Sequence, residues 1–183
     1  MRHNEIFGWS QMGTQGAMIE HFISEAEWSS KDKILIAEVG VFLGRSIAIY
    51  HEVLSKNNIP HEIIGIDHFN GSPEHQSGKF PMPSYESALN NLKDIKEVKL
   101  VRAASLDEVN NYSDHTFDMV YIDASHEYEP VYADIQAWMP KVKNGGFLCG
   151  DDYSSDWIGV INAVNELLPD RKIIASTQWF VRL

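Results

Sequence analysis

Apolar positions along the chain fall into two alternating kinds of run. At Ile19, Phe22, Ile23 and Ala26 they recur every three or four residues, which lays one stripe along a helix over about 14–28. Ile34-Leu35-Ile36-Ala37-Glu38-Val39 is instead a short apolar run closed by Gly40, the pattern of a strand covered on both faces. Helical spacing returns through Ile47, Tyr50 and Leu54 over 46–56, and Ile63-Ile64-Gly65-Ile66-Asp67 is a second buried strand. Together they form a βαβ unit with parallel strands, because the connection is long enough for a crossover.

Residues 68–84 contain Gly71, Pro73, Gly78, Pro81 and Pro83 and read as a long loop, of a length that is usually functional or mobile. Beyond it, Tyr85, Leu89 and Leu92 mark a helix, Val98-Lys99-Leu100-Val101 a strand, and Phe117-Asp118-Met119-Val120-Tyr121-Ile122-Asp123 another. Tyr128, Tyr132, Ile135 and Met139 then repeat at helical spacing, with Pro130 tolerated in the first turn. After Gly145-Gly146 come a strand, Phe147-Leu148-Cys149-Gly150-Asp151, and a helix through Ile158, Ile161, Val164 and Leu168. Residues 172–176 and 178–183 close the chain as two strands, paired antiparallel across a link at Thr177. The sum is an α/β fold, one domain over 1–183, with an N-terminal helical cap over 1–30 and a doubly wound, mostly parallel sheet carrying helices on both faces.

Composition narrows the partners. The 183 residues, 44% of them hydrophobic and 11% aromatic, supply a real core, so disorder is excluded. A net charge of −11 with no Lys/Arg run disfavours nucleic acid and anionic membranes, which need a clustered basic footprint. No stretch approaches the roughly 18 consecutive apolar residues of a membrane span. The opening Met-Arg-His-Asn-Glu lacks the apolar run of a secretory signal, and the lone Cys149 cannot form an internal disulfide; a cytoplasmic location is expected.

In such sheets ligands sit outside the carboxyl ends of the strands, and that is where the chemistry-bearing residues fall. Gly40 and Gly44 bracket a strand-to-helix turn, where missing side chains let a ligand approach the backbone and helix amides can hold an anionic group. Asp67 ends the second strand, placed to accept from ribose hydroxyls, with His68 beside it; together with the turn it points to a nucleoside-bearing ligand. The plainer alternative is a tight turn and a cap. Phe42 stands where a dinucleotide fingerprint would carry its middle glycine, so NAD becomes a minor alternative.

Glu38-Val39-Gly40-Val41-Phe42-Leu43-Gly44-Arg45-Ser46, Ile66-Asp67, Tyr121-Ile122-Asp123-Ala124-Ser125-His126 and Gly145-Gly146-Phe147-Leu148-Cys149-Gly150-Asp151-Asp152-Tyr153 resemble class I S-adenosylmethionine-dependent methyltransferases. More narrowly they resemble the small branch of macrocin-type sugar O-methyltransferases. The resemblance implies a Rossmann-like, seven-stranded sheet with an antiparallel last strand. It also implies that Glu38 and the turn Gly40, Val41 and Gly44 hold the methionine end of the cofactor, with Ser46 near its carboxylate. Asp67 would take the ribose, Ala104 and Ser105 would border the adenine, and Asp123, Asp151 and Asp152 would bind a divalent ion, Mg²⁺ first. His126 matches the general base of the macrolide-sugar enzymes. An N-terminal segment often covers the cofactor in this family, which draws attention to Trp9.

The chemistry fits these residue types. Methyl transfer to a hydroxyl needs in-line approach and a destination for the hydroxyl proton, and a hard ion held by carboxylates lowers the hydroxyl pKa. His126 titrates near neutrality, as a base should. Plainer roles stay open: Asp151 or Asp152 as a helix cap, His126 as a cap or a solvated side chain. So do a non-catalytic nucleoside-binding module and a metal-dependent hydrolase on the same sheet. The acceptor is expected to be a hydroxylated small molecule, with a sugar as the class the resemblance implies. Its pocket is expected from residues 1–16, 68–84 and 152–157 or from a neighbouring subunit of a homo-oligomer, with His75, Lys79, Tyr85 and Tyr153 as contacts.

Overall fold

In the computed structural model, which describes residues 2–183, the buried apolar runs become β1 (Ile34–Val39), β2 (His61–Asp67), β3 (Val98–Arg102), β4 (Phe117–Ile122) and β5 (Val142–Gly150). β6 (Lys172–Ile174) and β7 (Gln178–Arg182) complete one seven-stranded sheet in the order β3-β2-β1-β4-β5-β7-β6. β7 runs antiparallel to both its neighbours, and the other pairs are parallel.

Because a strand alternates its faces, each central strand feeds two cores. Ile34, Ile36, Met119, Tyr121, Phe147 and Cys149 meet α1 (Ala17–Glu25), α2 (Arg45–Lys56) and α4 (Tyr85–Leu92), with Phe22 stacked on Phe147 at 3.9 Å. Ala37, Val39, Val120, Ile122 and Leu148 meet α6 (Tyr128–Trp138) and α7 (Ile158–Leu167) on the other face. Two one-turn helices, α3 (Pro73–Gln76) and α5 (Ser105–Glu108), sit in the connections around β3. Among the described residues no helix is long and apolar enough to cross a membrane.

Three departures from the sequence reading matter most. The first helical stretch opens as a π-turn at Met12–Gly16, and α1 stops at Glu25 because Glu27 takes a left-handed φ of 51°. Gly145-Gly146 do not precede β5 but lie inside it: the register jumps between Phe117/Met119 and Val142/Phe147, and a Cβ on Gly146 would meet Asp118 O at 2.8 Å. The glycines therefore make a bulge. The strand expected over 172–176 ends at Ile174, since Ala175 and Ser176 both take positive φ to turn the chain into β7.

Glu38, on β1, has its side chain sealed in the core at 0% exposure. Its Oε1 accepts a hydrogen bond from Ser46 Oγ at 2.6 Å, while Oε2 has no partner. Burial pushes its pKa up from 4.5 to about 8, with the Ser46 and Tyr50 hydroxyls opposing the shift. The folded protein thus keeps this proton up to about pH 8, whereas an unfolded chain releases it near 4.5. Stability is complete below 4.5 and declines as pH rises through that window. Glu38→Gln should flatten the dependence of Tm on pH between 5 and 8, raising Tm at pH 8 relative to the parent by on the order of 5 °C. Thermal unfolding with equal slopes in both proteins would show that Glu38 is ionised in the fold.

Candidate active site

The turn after β1 is held by the protein itself. Gly40, Phe42 and Gly44 all take positive φ (94°, 54° and 86°), an arrangement that needs support at the non-glycine Phe42. Asp67 supplies it: its Oδ2 accepts from the backbone N–H of Val41 (2.9 Å) and Phe42 (3.0 Å), and its Oδ1 from Phe69 N–H (2.6 Å). Three of its lone-pair sites thus hold backbone amides, two of them in the turn. The glycines are required by packing as well. A Cβ on Gly40 would strike the backbone of Asp123 and Ala124, and one on Gly44 would strike Leu92 at 2.6 Å, so the missing side chains make room for the protein's own chain. α2 starts beyond the turn with no side-chain cap, leaving its first amides to an anionic group.

Two adjoining cavities open at these strand ends. The larger, about 380 Å³, runs from the turn past Asp123 and His126 to Asp152 and Trp157, and residues 8–15 of the N-terminal segment form one wall. The smaller, about 70 Å³, lies over Ile66, Asp67, His68, Ala103 and Ser105. Gly40, Phe42, Ser72, His75, Asp123 and Ala124 line both. Phe42 meets Trp9 at 5.3 Å and His75 at 5.6 Å, and Trp9 meets Phe80 at 5.1 Å, so the mouth of the larger cavity is an aromatic rim.

The three aspartates reach this region in different states. Asp151 Oδ2 accepts from Gln15 Nε2 (2.9 Å), Gln178 Nε2 (3.0 Å) and Tyr121 OH (3.2 Å), and its Oδ1 from Thr177 Oγ1 (2.6 Å) and Asp152 N–H (2.8 Å). Five donors saturate a carboxylate, which has about four lone-pair sites. Asp151 is thus a hydrogen-bond hub. Asp123 is the reverse case: burial, then the neighbouring carboxylates of Asp152 and Asp151, hold its carboxyl well above the usual range. Asp123 and Asp152 remain as a carboxylate pair whose hard oxygens and mutual repulsion suit a divalent cation, since Mg²⁺ needs only one or two carboxylates with water. Among the described residues no group of three or more His, Cys, Asp or Glu side chains is arranged to hold a metal.

His126 lies on the same rim. Its Nε2 is 3.0 Å from Asp152 Oδ2, and its ring stacks on Trp157 at 3.7 Å with 15° between planes. Burial alone would lower its pKa, but the carboxylates of Asp152 and Glu74 outweigh it and raise the value.

Of the sequence-assigned residues, Gly40, Val41, Ser46, Asp123, His126, Asp151 and Asp152 line the larger cavity, and Asp67, His68 and Ser105 the smaller. Glu38 lies beneath the floor and touches the cleft only through Ser46; Gly44 and Ala104 line neither cavity, and Ala103 takes the place expected of Ala104. Ser105 Oγ donates to the buried Asp134, whose pKa burial raises to about 6. Of the expected acceptor contacts only His75 lines the cleft: Tyr85 packs on Phe69, Tyr153 OH donates to Asn165, and Lys79 stands 5.2 Å over Trp157 outside it. The segments 1–16, 68–84 and 152–157 were expected at the pocket, but their contributing side chains Gln15, Glu74 and Trp157, and Gln178 on β7, were not singled out, because each reaches the site by tertiary placement and none sits just past a parallel strand's carboxyl end in a motif.

A family model described as a methyltransferase domain matches residues 37–153. Among solved structures, the O-methyltransferase NovP superposes with a TM-score of 0.72 at 17% identity, over 90% of this chain and 78% of that one. Apo CalS11, a TDP-rhamnose 3'-O-methyltransferase of calicheamicin biosynthesis, gives 0.63 at 18%, over 92% and 80%. SAH-bound PaMTH1 of Podospora anserina gives 0.62 at 14%, over 96% and 79%. At these identities the likeness is one of fold. The uncharacterized protein R132 of Acanthamoeba polyphaga mimivirus is 28% identical over 144 residues, 76% of this chain, and the chain spans 62% of that protein's length. The stretch matched by the family model starts inside β1 and ends beyond Asp152, so the turn, Asp67, Asp123 and His126 all fall within it, and the chain belongs to the methyltransferase-domain family.

Proposed function

We propose that the chain is an S-adenosylmethionine-dependent O-methyltransferase acting on a hydroxyl of a small molecule, with a sugar as the acceptor class suggested by the likeness to CalS11. The observation that carries the reading is the meeting of two cavities at Asp123, one bordered by Asp67 and Ser105 and the other by His126. A nucleoside end and an acceptor end would then share one wall at the point of transfer.

When bound, S-adenosylmethionine supplies an electrophilic methyl group, whose bond to sulfur breaks as its bond to the acceptor oxygen forms. The open amides of α2, beside Ser46, would hold its amino-acid carboxylate. The last lone-pair site of Asp67 and the backbone near Ala103 border the nucleoside. Trp157 fixes the plane of the His126 ring, and the imidazole takes the acceptor's hydroxyl proton. Trp9 and Phe80 shield the acceptor side from water. Asp123 and Asp152 would hold a divalent ion, which would lower the pKa of a bound hydroxyl.

Calorimetric titration should show S-adenosylmethionine and S-adenosylhomocysteine binding and NAD failing to bind; no heat from either sulfur nucleoside, with or without Mg²⁺, would remove the reading. Once an acceptor is found, His126→Ala should lower turnover by about 100-fold or more with S-adenosylhomocysteine affinity within about twofold. Unchanged turnover would move the base elsewhere. Mg²⁺ should raise the Tm of the parent protein and leave that of Asp123→Asn unmoved; a parent protein indifferent to Mg²⁺ would dismiss metal assistance.

A further inference from the structure

Arg45 has no task in the reaction as described, although among the described residues it is the only lysine or arginine lining either cavity. It is the first residue of α2, and its side chain crosses from the helix to the N-terminal segment, where Nη1 donates to Ile6 O at 3.0 Å. Its Nε is buried without a partner. A Cβ on Gly8 would come within 3.3 Å of Arg45 Cβ and Cδ, so that glycine leaves room for the arginine stem. The chain carries 26 Asp and Glu residues, yet among the described residues none of them forms an ion pair with this guanidinium. An arginine is always charged and brings five N–H donors, so most of its binding capacity is unused within the protein.

The cleft around it is charged unevenly. Asp123, Asp151 and Asp152 line the end beside His126, where an anionic group on a ligand meets like charge. At the α2 end the groups able to answer such an anion are few. Ser46 Oγ spends its proton on Glu38 Oε1 and has none left to donate. The Val41 and Phe42 amides of the turn are taken by Asp67. What remain are the open amides in the first turn of α2 and the guanidinium of Arg45. A guanidinium fork matches a carboxylate with two parallel, charge-assisted N–H bonds, which neutral amides cannot equal.

We propose that Arg45 is the charged anchor for the cofactor's amino-acid carboxylate, and that it selects S-adenosylmethionine over adenosyl compounds lacking that group. This rests on the methyl-transfer reading. The guanidinium answers the carboxylate's charge and the helix amides share its remaining lone pairs, which leaves the aspartate end of the cleft to the acceptor. Because Nη1 also holds Ile6 O, the cofactor's charged end and the segment that carries Trp9 depend on one side chain.

The test is calorimetric titration of the full-length protein with S-adenosylhomocysteine and with its decarboxylated analogue, which keeps the adenosyl group, the sulfur and the amine. The parent should bind S-adenosylhomocysteine about tenfold or more tighter than the analogue. Arg45→Met keeps an unbranched stem without the charge; it should weaken S-adenosylhomocysteine by about tenfold or more and leave the analogue within about twofold, or bound more tightly. Arg45→Lys, which keeps the charge without the fork, should restore part of the preference. A parent that does not distinguish the two ligands would overturn the proposal without recourse to any variant. So would an unchanged S-adenosylhomocysteine affinity in Arg45→Met, or an equal loss for both ligands, which marks Arg45 as a support of the N-terminal wall. Failure of the methyl-transfer reading looks different: the parent then binds neither ligand, and the proposal falls with it.

Discussion

A carboxylate at the end of β5, drawn into the protein with no cation against it, has to be satisfied by neutral donors, and much of the site follows from how Asp151 meets that demand. Its partners come from the N-terminal segment (Gln15), from β4 (Tyr121) and from the antiparallel strand β7 and its turn (Gln178, Thr177). Trp179 Nε1 adds a bond to the Asp151 carbonyl. Each contact fixes a different part of the chain to one point. The wall formed by residues 8–15 is thereby referenced to the same strand end that presents Asp152 to His126. Losing a single donor would release one of these segments from the strand end while the remaining four still satisfy the carboxylate.

The sheet was legible because its strands are covered on both faces and so read as near-continuous apolar runs; β1 and β4 emerge at the expected positions. What escaped was backbone conformation at particular residues. Nothing in the composition of Gly145-Gly146 distinguishes a glycine pair before a strand from one that lets β5 bulge against Asp118. The left-handed φ at Glu27, Ala175 and Ser176 is carried by residue types that do not advertise it.

The site divides in the same way. Strand-end position located Asp67, Asp123, His126, Asp151 and Asp152, since that depends on element order alone. Their hydrogen-bond partners depend on contacts across the fold, which strand-end position does not show. Asp67 turns back to clamp the Phe42 turn, Asp151 is saturated, and Glu38 points into the core. Glu74 meets His126 from a connection 52 residues upstream, and no spacing rule reaches that far.

The wall common to the two cavities has a mechanical meaning. Ser72 and His75 face both compartments, so a displacement that enlarges one reshapes the other. A group seated in either compartment would bear on the same short stretch of chain between β2 and α4.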